Sequence, residues 1–418
     1  MRLIRPFRGV RPNKDMASKV AAYPYDVISR SEAKALADKN PYSFLHINKP
    51  EIDVADQISA YDPIVYETGR INLDEFLTSG VLNQDTEETF YVYKQKMGSH
   101  EQVGLVAVAS IEAYERGIIK KHELTRPEKE DDRVNHMEAL GAQVGPVFLT
   151  YRYDKQISDL MTQVEEDLPE YDFDADDGIR HTFWIVKDAG LRDALNEAFN
   201  GLESVYVADG HHRSAAACRV KKLHAERNKA HSGNESYNFF LAVLFPHTQI
   251  RILDYNRILR DLNGLVVEDF LSALEENFHV KKGVAGEQVK PTKAHEFGLY
   301  IDDAWYRLNL KSEIASSLQT EDATATLDVA IMQKYILSPI LNIHDQRTDN
   351  RIDFVGGVRG LSELERRIDG GGYAAAISVY ATSIESLLRV ADSNQVMPPK
   401  STWFEPKLKS GLITHLLD

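Results

Sequence analysis

The chain contains one cysteine, Cys218, among its 418 residues. A single cysteine cannot form an intrachain disulfide, and it excludes a zinc site built from several cysteines. A chain without disulfides is typical of a reducing compartment. The composition therefore predicts a cytoplasmic protein.

Long apolar runs are also absent. No stretch of about 18 apolar residues occurs, which is the length that a membrane-spanning helix requires. The basic N-terminal stretch MRLIRPFRGVRP is not followed by an apolar segment of signal-peptide length. The sequence therefore predicts neither secretion nor a membrane partner.

An excess of positive charge is missing as well. Lysine and arginine number 49 against 64 aspartates and glutamates, which leaves a formal net charge of −15. The densest basic stretch, Arg219–Lys229, also carries Glu226 and is typical of a helix face in water. Because such a chain repels a polyanion, we expect no nucleic-acid partner.

The order of predicted elements indicates the fold class. Strands and helices alternate through the middle of the chain, which favours a mixed α/β fold, either α/β or α+β. The length favours two or three domains. A new cycle of helices and strands begins after about residue 256, so we predict one region over 1–255 and a C-terminal α/β region over 256–418.

Two segments depart from this alternation. The charged stretch IIKKHELTRPEKEDDRVNHM, Ile118–Met137, is expected to face water and to contribute nothing to a core. Near the C-terminus, the string VMPPKSTWFEPKLKSGL is rich in proline, which predicts a loop with a tightly fixed backbone rather than regular structure.

The string YVADGHHRSAAA predicts a strand that ends at Asp209 and a helix that begins at His211. Gly210 permits a sharp turn or a close ligand approach between them. The first N–H groups of a helix lack internal acceptors and attract anions. Arg213 adds a guanidinium that can hold two phosphate oxygens at once, so the turn is suited to phosphate.

The remaining side chains of the turn have distinct expected roles. His211 and His212 diverge by about 100° on a helix and are not expected to bind the same atom. Asp209 is placed to coordinate Mg²⁺, to orient a histidine or to accept a proton from a hydroxyl. The sequence leaves these three roles open, together with the alternative of a turn that is capped by its own side chains.

The string ADGHHR resembles the phosphate-holding motif of the ParB/sulfiredoxin-like superfamily, most closely that of its free L-serine kinases. Four further strings resemble signatures of a widespread bacterial family that was long described only as a conserved domain of unknown function. These strings are PYDVIS (Pro24–Ser29), KHELT (Lys121–Thr125), EDDR (Glu130–Arg133) and MPPKSTWF (Met397–Phe404). The resemblance spans nearly the whole chain.

This resemblance implies a ParB/sulfiredoxin-like, nucleotide-binding catalytic core in region 1–255 and phosphoryl transfer as its chemistry. It implies that Asp209, His211 and His212 lie at the nucleotide phosphates, with Gly210 and Arg213 completing the motif. In sulfiredoxin a cysteine stands where this chain has His212, which is evidence against reductase chemistry.

An acidic residue nearer the N-terminus serves as base in the serine kinases, and it does not align clearly with this chain. Asp26 is the first candidate because of its position, and Glu123 is the second.

Phosphoryl transfer also needs positive charge on the moving group and an oriented acceptor hydroxyl. Lys400, Ser401 and Thr402 are candidate phosphate-binding residues, and the neighbouring Pro398 and Pro399 limit their backbone freedom. The alternative is a proline-rich strap that only packs against the protein. His122 and Arg133 are the candidates for holding the substrate.

The function predicted from these features is a nucleotide-dependent kinase for a small hydroxyl compound. Free L-serine is the favoured acceptor, ATP or ADP the donor and Mg²⁺ the metal, with Asp209 as its candidate ligand. Two alternatives stay open: a nucleotide-binding regulatory switch without a small-molecule acceptor, and a phosphate-ester hydrolase with a histidine nucleophile or acid. A homo-oligomer is compatible with the sequence.

Overall fold

A computed structural model describes residues 2–318 and 322–417. It divides into two compact units. Unit 1 consists of Met1–Lys121, Thr125–Ile250 and Pro406–Asp418, and unit 2 of His122–Leu124 and Arg251–Glu405. We predicted the segment 406–418 in the C-terminal region, but it groups with unit 1; we predicted His122–Leu124 in region 1–255, but it groups with unit 2.

The strands of the described residues are β1 (Ile4–Arg5), β2 (Val10–Pro12), β3 (Leu82–Gln84), β4 (Tyr91–Met97), β5 (His100–Ser110), β6 (Ile119–Lys120), β7 (Ala142–Gln143), β8 (Val147–Tyr151), β9 (Tyr171–Asp174), β10 (Arg180–Ile185), β11 (Val205–Asp209), β12 (Phe239–Pro246), β13 (Arg251–Leu253), β14 (Tyr255–Leu259), β15 (Phe278–Lys282), β16 (Glu296–Ile301), β17 (Ala304–Leu310), β18 (Ile352–Gly356), β19 (Ala375–Val379), β20 (Trp403–Glu405) and β21 (His415–Leu416).

The α-helices are α1 (Ala17–Val20), α2 (Arg30–Ala37), α3 (Leu45–Asn48), α4 (Pro63–Thr78), α5 (Ile111–Glu115), α6 (Pro127–Leu140), α7 (Lys155–Glu165), α8 (Ala189–Asn200), α9 (His211–Arg227), α10 (Val267–Leu274), α11 (Ser312–Ser317), α12 (Asp328–Met332), α13 (Leu361–Asp369) and α14 (Ile384–Asp392). The predicted mixed α/β class is confirmed. Among the described helices, none combines the length and the apolar character needed to cross a bilayer.

Unit 1 is organised around a mixed sheet in the order β6-β11-β8-β12-β5-β4-β10-β9, with β1 paired to β5. The pairs β6–β11 and β8–β12 are parallel, and the other pairs are antiparallel. Strand β12 is buried along its whole length. Its sequence FFLAVLFP is continuously apolar because both faces of a central strand are covered.

Helix α6 corrects the expectation for the charged stretch Ile118–Met137. It buries Val134, Met137 and Leu140 together with three polar residues, Asp132, Arg133 and His136. Pro127 stands in its first turn, where no internal acceptor is needed, and Gly141 ends it in the left-handed conformation with φ 59°. The prediction was wrong because the polar residues of the buried face find partners inside the protein.

Helix α9 bears out the predicted strand and helix around Gly210. Strand β11 ends at Asp209, and α9 runs for 17 residues from His211. Its buried face includes Ala216, Ala217 and Cys218. Small side chains on this face allow the helix to lie close to its neighbours.

Unit 2 contains an antiparallel sheet in the order β15-β17-β16-β19-β14-β18. One face packs against α10, α12 and the π-helical turn Gln333–Leu337, through Phe270, Met332 and Ile336 among others. The proline-rich C-terminal string is not wholly irregular, since β20 pairs with β13.

Candidate functional site

The centre of the candidate site is the turn between β11 and α9 in unit 1. The pairing of β11 with β8 shifts register between Val207 and Asp209. Gly210 follows with φ 96° and ψ 28° and forms the N-cap of α9. Only glycine adopts this conformation without a steric penalty, so the sharp reversal depends on that residue.

The first turn of α9 is not capped by a side chain among the described residues. Ser214 N–H is the first to reach a helical acceptor, the carbonyl of Gly210 at 3.0 Å. The N–H groups of His211, His212 and Arg213 precede it and have no acceptor within the helix. The helix therefore presents its positive end at the turn.

Asp209 is held by two donors. Its Oδ1 accepts from Gly210 N–H at 2.8 Å, and its Oδ2 accepts from Lys407 Nζ at 2.8 Å. Its side chain remains 28% exposed. Burial raises the pKa of the Asp209 carboxyl, but Lys407 and Arg213 lower it by more, so the pKa lies well below its usual range. The carboxylate is therefore ionised at neutral pH.

Arg213 lies across the backbone of the turn and is only 7% exposed. A Cβ atom on Gly210 would come within 3.1 Å of its Cζ, and one on Gly145 within 3.5 Å of its Cδ. Its NH1 donates to the carbonyl oxygen of Pro146, and its Nε has no hydrogen-bond partner among the described residues. Gly210 and Gly145 thus make room for the Arg213 guanidinium, whose Nε–H group has no hydrogen-bond partner among the described residues.

The two histidines lie in different surroundings, as their expected divergence requires. His211 is buried. His212 is half-buried, and its Nε2 accepts from Arg126 N–H at 3.1 Å, at the start of α6. This hydrogen bond links the start of α6 to the first turn of α9.

Arg133 and Arg213 line one small cavity in unit 1. Other residues of its wall are Pro24, Tyr25, Asn48 and Gly145. Its volume is ≈ 20 Å³, room for about one water molecule. Arg213 Nε and Asn48 Oδ1 are buried here without partners. The cavity therefore offers one donor and one acceptor to a water or to a small polar group.

The Arg133 side chain is fixed by its neighbours on α6 and in the PYDVIS segment. Its Nε and NH2 donate to Asp132 Oδ2 at 2.9 and 2.7 Å, and its guanidinium stacks 3.8 Å from the ring centre of Tyr25. Asp132 Oδ1 accepts from Tyr66 OH at 3.1 Å. Burial lowers the pKa of Arg133, but Tyr25, Asp132 and Asp26 offset this, so the pKa is raised.

His136 on the same helix is neutral. Burial lowers its pKa to about 3, and its Nε2 donates to the carbonyl of Ile47 at 2.9 Å. Arg133 is paired with Asp132, and Arg213 acts on the Asp209 carboxylate, whose pKa it helps to lower. The two arginines of the cavity wall therefore each act on a different carboxylate.

Asp26 lies next to Tyr25, in an exposed turn. It is close enough to Tyr25 and Arg133 to influence the pKa of both. Helix α2 begins just beyond it with Ser29, whose Oγ accepts from Glu32 N–H while the Glu32 carboxylate accepts from Ser29 N–H. Helix α2 therefore begins directly after the PYDVIS string, with Ser29 as its N-cap.

The other candidates belong to unit 2. His122 is buried, and its carbonyl accepts from Met397 N–H at 2.8 Å. Glu123 borders a cavity of ≈ 420 Å³ that is also lined by His344, Arg347 and Pro398. Their roles remain predictions.

The MPPKST segment is held tightly inside unit 2. Lys400 has φ 57°, and its Nζ lies 5.5 Å from the ring centre of Tyr255. Ser401 is buried, and its hydroxyl donates to the carbonyl of Pro398 at 2.6 Å. Thr402 is half-buried. The fixed backbone agrees with the expectation for a proline-rich loop.

Sequence reasoning missed two lysines of the C-terminal segment. Lys407 pairs with Asp209, and Lys409 Nζ lies 2.6 Å from Asp177 Oδ2 and 3.6 Å from the ring centre of Tyr23. The signal was the alternation Lys407-Leu408-Lys409, because residues two apart on an extended chain point the same way. Leu408 between them is buried.

Comparisons with known proteins give a family and several distant structures. A family model described as a protein of unknown function (DUF1015) matches residues 4–330. No curated protein matches the chain significantly.

Similar solved structures include a variant of free serine kinase in complex with AMP, with 12% identity, a TM-score of 0.39, and coverage of 78% of this chain and 93% of that one. SbnI with a C-terminal truncation, from Staphylococcus aureus, has 10% identity and a TM-score of 0.40, with coverages of 74% and 87%. A conserved hypothetical protein from Pyrococcus furiosus has 12% identity and a TM-score of 0.36, with coverages of 74% and 95%.

Proposed function

We propose that this chain, which belongs to the DUF1015 family, is a nucleotide-dependent kinase for a small hydroxyl compound, with free L-serine as acceptor and O-phospho-L-serine as product. The observation that carries the proposal is the uncapped start of α9, beside which Asp209, Arg213 and Lys407 converge. The resemblance of ADGHHR to the free L-serine kinases supports the choice of acceptor.

The nucleotide phosphates bind at the turn. Three N–H groups without helical acceptors and the positive end of the helix dipole favour an anion there. Gly210 has no side chain, which makes room for the Arg213 guanidinium beside the turn. ATP and ADP both carry the phosphates that this site would hold, and either could be the donor.

A Mg²⁺ ion fits the turn with Asp209 as its protein ligand. Mg²⁺ in phosphoryl-transfer sites is bound by one or two carboxylates together with phosphate oxygens and waters. The Asp209 oxygens accept from Gly210 and Lys407, and each carboxylate oxygen has a second lone pair to offer. The bound ion would neutralise charge on the phosphoryl group during transfer.

The acceptor hydroxyl needs a base. In the transfer step its oxygen bonds to the terminal phosphorus, the bond from that phosphorus to the bridging oxygen of the nucleotide breaks, and the hydroxyl proton passes to a carboxylate. Asp26 is our first candidate, because it lies exposed beside Tyr25 and near Arg133. Glu123 remains the second.

The carboxylate of an amino-acid acceptor would be held by Arg133 or Arg213. Arg213 has a buried Nε–H without a partner among the described residues, and a planar guanidinium binds carboxylates well. His122 stays a candidate for the substrate without a more specific role.

The test is direct: the purified protein is incubated with L-serine, Mg²⁺ and either ATP or ADP, and O-phospho-L-serine is measured by mass spectrometry. His212→Ala and Asp209→Asn should each lower the rate by orders of magnitude at similar melting temperatures. Absence of product with both nucleotides would rule out serine kinase. Slow nucleotide hydrolysis that does not depend on an acceptor would instead favour the regulatory switch.

A further inference from the structure

The C-terminal segment of unit 1 is anchored to the large sheet by two buried glutamines. Gln95 on β4 and Gln102 on β5 face each other across the two strands. Gln95 Nε2 donates to the carbonyl of Lys407 at 2.8 Å, and Gln102 Nε2 donates to Gln95 Oε1 at 2.9 Å. Burying amides in a sheet is costly unless they are hydrogen-bonded. Together they fix the backbone of the segment at Lys407.

From this position the Lys407 side chain reaches the turn before α9. Its Nζ lies 2.8 Å from Asp209 Oδ2, and the side chain is 14% exposed. Lys407 and Arg213 carry two positive charges, against one negative charge on Asp209. The positive end of α9 adds to the positive potential at the turn.

We infer that Lys407 is a phosphate-binding residue of this turn, and that Asp209 fixes where its ammonium lies. The inference rests on the proposed function, since it assumes that nucleotide phosphates bind at the start of α9. A lysine ammonium has three donors, so it can bond to a carboxylate and to a phosphate oxygen at the same time. The segment 406–418 then contributes to the nucleotide site, far in sequence from the ADGHHR motif.

The alternative is an ion pair that only stabilises the fold. The same segment contains such a pair in Lys409 and Asp177, at 2.6 Å. Lys409 is more deeply buried than Lys407 and packs on the ring of Tyr23. Lys409 is therefore a matched control, because it lies two residues from Lys407 in the same extended segment and pairs with a different carboxylate.

The experiment measures the dissociation constants of ADP and of adenosine by calorimetry at fixed Mg²⁺. Lys407→Met should weaken ADP binding by about tenfold or more, as expected for the loss of a charge-assisted hydrogen bond. Adenosine has no phosphate, so its binding should not change. Lys407→Arg should recover part of the ADP affinity. Lys409→Met should leave the ratio of the ADP and adenosine dissociation constants as it is in the protein without substitutions.

A second variant covers the case in which Lys407→Met fails to fold. Lys407→Gln keeps a polar side chain at this position and removes the charge, so it should weaken ADP binding and leave adenosine binding intact. Equal ADP binding by a folded Lys407→Gln variant would overturn the inference.

The outcomes separate this inference from the proposed function. If the unchanged protein binds neither ADP nor ATP, the proposed function fails, and the inference fails with it. If it binds ADP and Lys407→Met binds ADP equally well, the inference alone is overturned. An equal loss of ADP and adenosine affinity would show that Lys407 acts only on the fold.

Discussion

At the scale of single residues, the polar groups that burial leaves unsatisfied are the most informative. Arg213 Nε and Asn48 Oδ1 share one cavity in unit 1, and Asp328 Oδ2 is buried in unit 2 without a partner among the described residues. Such groups cost stability unless a ligand, a water or a proton satisfies them. The first two lie beside the candidate site, and the third belongs to a carboxyl group whose pKa burial raises to about 7.

Asp328 makes the stability of unit 2 depend on pH. Burial raises its pKa from 3.8 to about 7, which the hydrogen bond from His295 N–H to Oδ1 only partly opposes. Between these values the folded state holds a proton that the unfolded state has lost, so the free energy of unfolding falls as pH rises towards 7. Asp328→Asn imitates the protonated form at every pH. The free energy of unfolding of this variant, relative to that of the protein without the substitution, should therefore rise by about 2 kcal/mol between pH 5 and pH 8.

Denaturant unfolding of both proteins at the two pH values measures this advantage. Asp269→Asn is the control for removing a carboxylate from the surface, because Asp269 is an exposed aspartate in the first turn of α10. An advantage of Asp328→Asn that is equal at both pH values would mean that Asp328 is ionised in the folded protein.

At the scale of elements, the connection from β11 to α9 depends on a left-handed residue. Gly210→Ala has two costs: φ 96° is unfavourable for alanine by roughly 1–2 kcal/mol, and the new Cβ would lie 3.1 Å from Arg213 Cζ. We expect a lower melting temperature and weaker ADP binding, because relief of the clash moves Arg213 and the first turn of the helix.

Gly117→Ala is the matched control for this prediction. Gly117 also has a positive φ, 73°, but a Cβ there would meet no heavy atom within 4 Å. Gly117→Ala should lower the melting temperature, because its backbone conformation is similarly unfavourable for alanine, and it should leave ADP binding unchanged. If Gly210→Ala binds ADP as well as Gly117→Ala does, the geometry of the turn is not what holds the nucleotide.

The elements also show how far the sequence could predict the site. The strand, the glycine and the helix at Asp209–Arg213 follow from local patterns, and they were predicted correctly. Helix α6 was missed because its buried face carries Asp132, Arg133 and His136, whose partners Tyr66, Tyr25 and Ile47 lie far away in sequence. Without those partners, nothing in the local pattern distinguishes a buried polar face from a solvated one.

At the scale of the whole molecule, the N-terminal and C-terminal segments of the described chain belong to the same unit. Residues 406–418 belong to unit 1, where β21 pairs with β7 and isolated bridges join Ala22 to Ser410 and Val10 to Thr414. Sequence analysis assigned this segment to the C-terminal region, because a pairing across so many residues leaves no local signal. The contact of Lys407 with Asp209 was unpredictable for the same reason.

A chain that stops at Glu405 should therefore lose the stability of unit 1 and keep that of unit 2. The deleted segment buries Leu408, Leu412 and Ile413, each worth roughly 1.5–3 kcal/mol. It also satisfies the buried Gln95 amide. Their sum is comparable with the stability of a typical domain, about 5–15 kcal/mol, so unit 1 should open at a temperature at which the full-length protein is folded.

Hydrogen exchange of the truncated and the full-length chains tests this prediction element by element. Protection should fall in β4, β5 and β12 and persist in β14, β16 and β19, because the latter strands form their own sheet. A synthetic peptide of residues 406–418 should restore part of the lost protection, since the bonds it makes are non-covalent. Unchanged protection of the β5 amides after truncation would mean that the large sheet is stable without the segment. The segment would then serve to position Lys407 and would not be needed for the stability of the core.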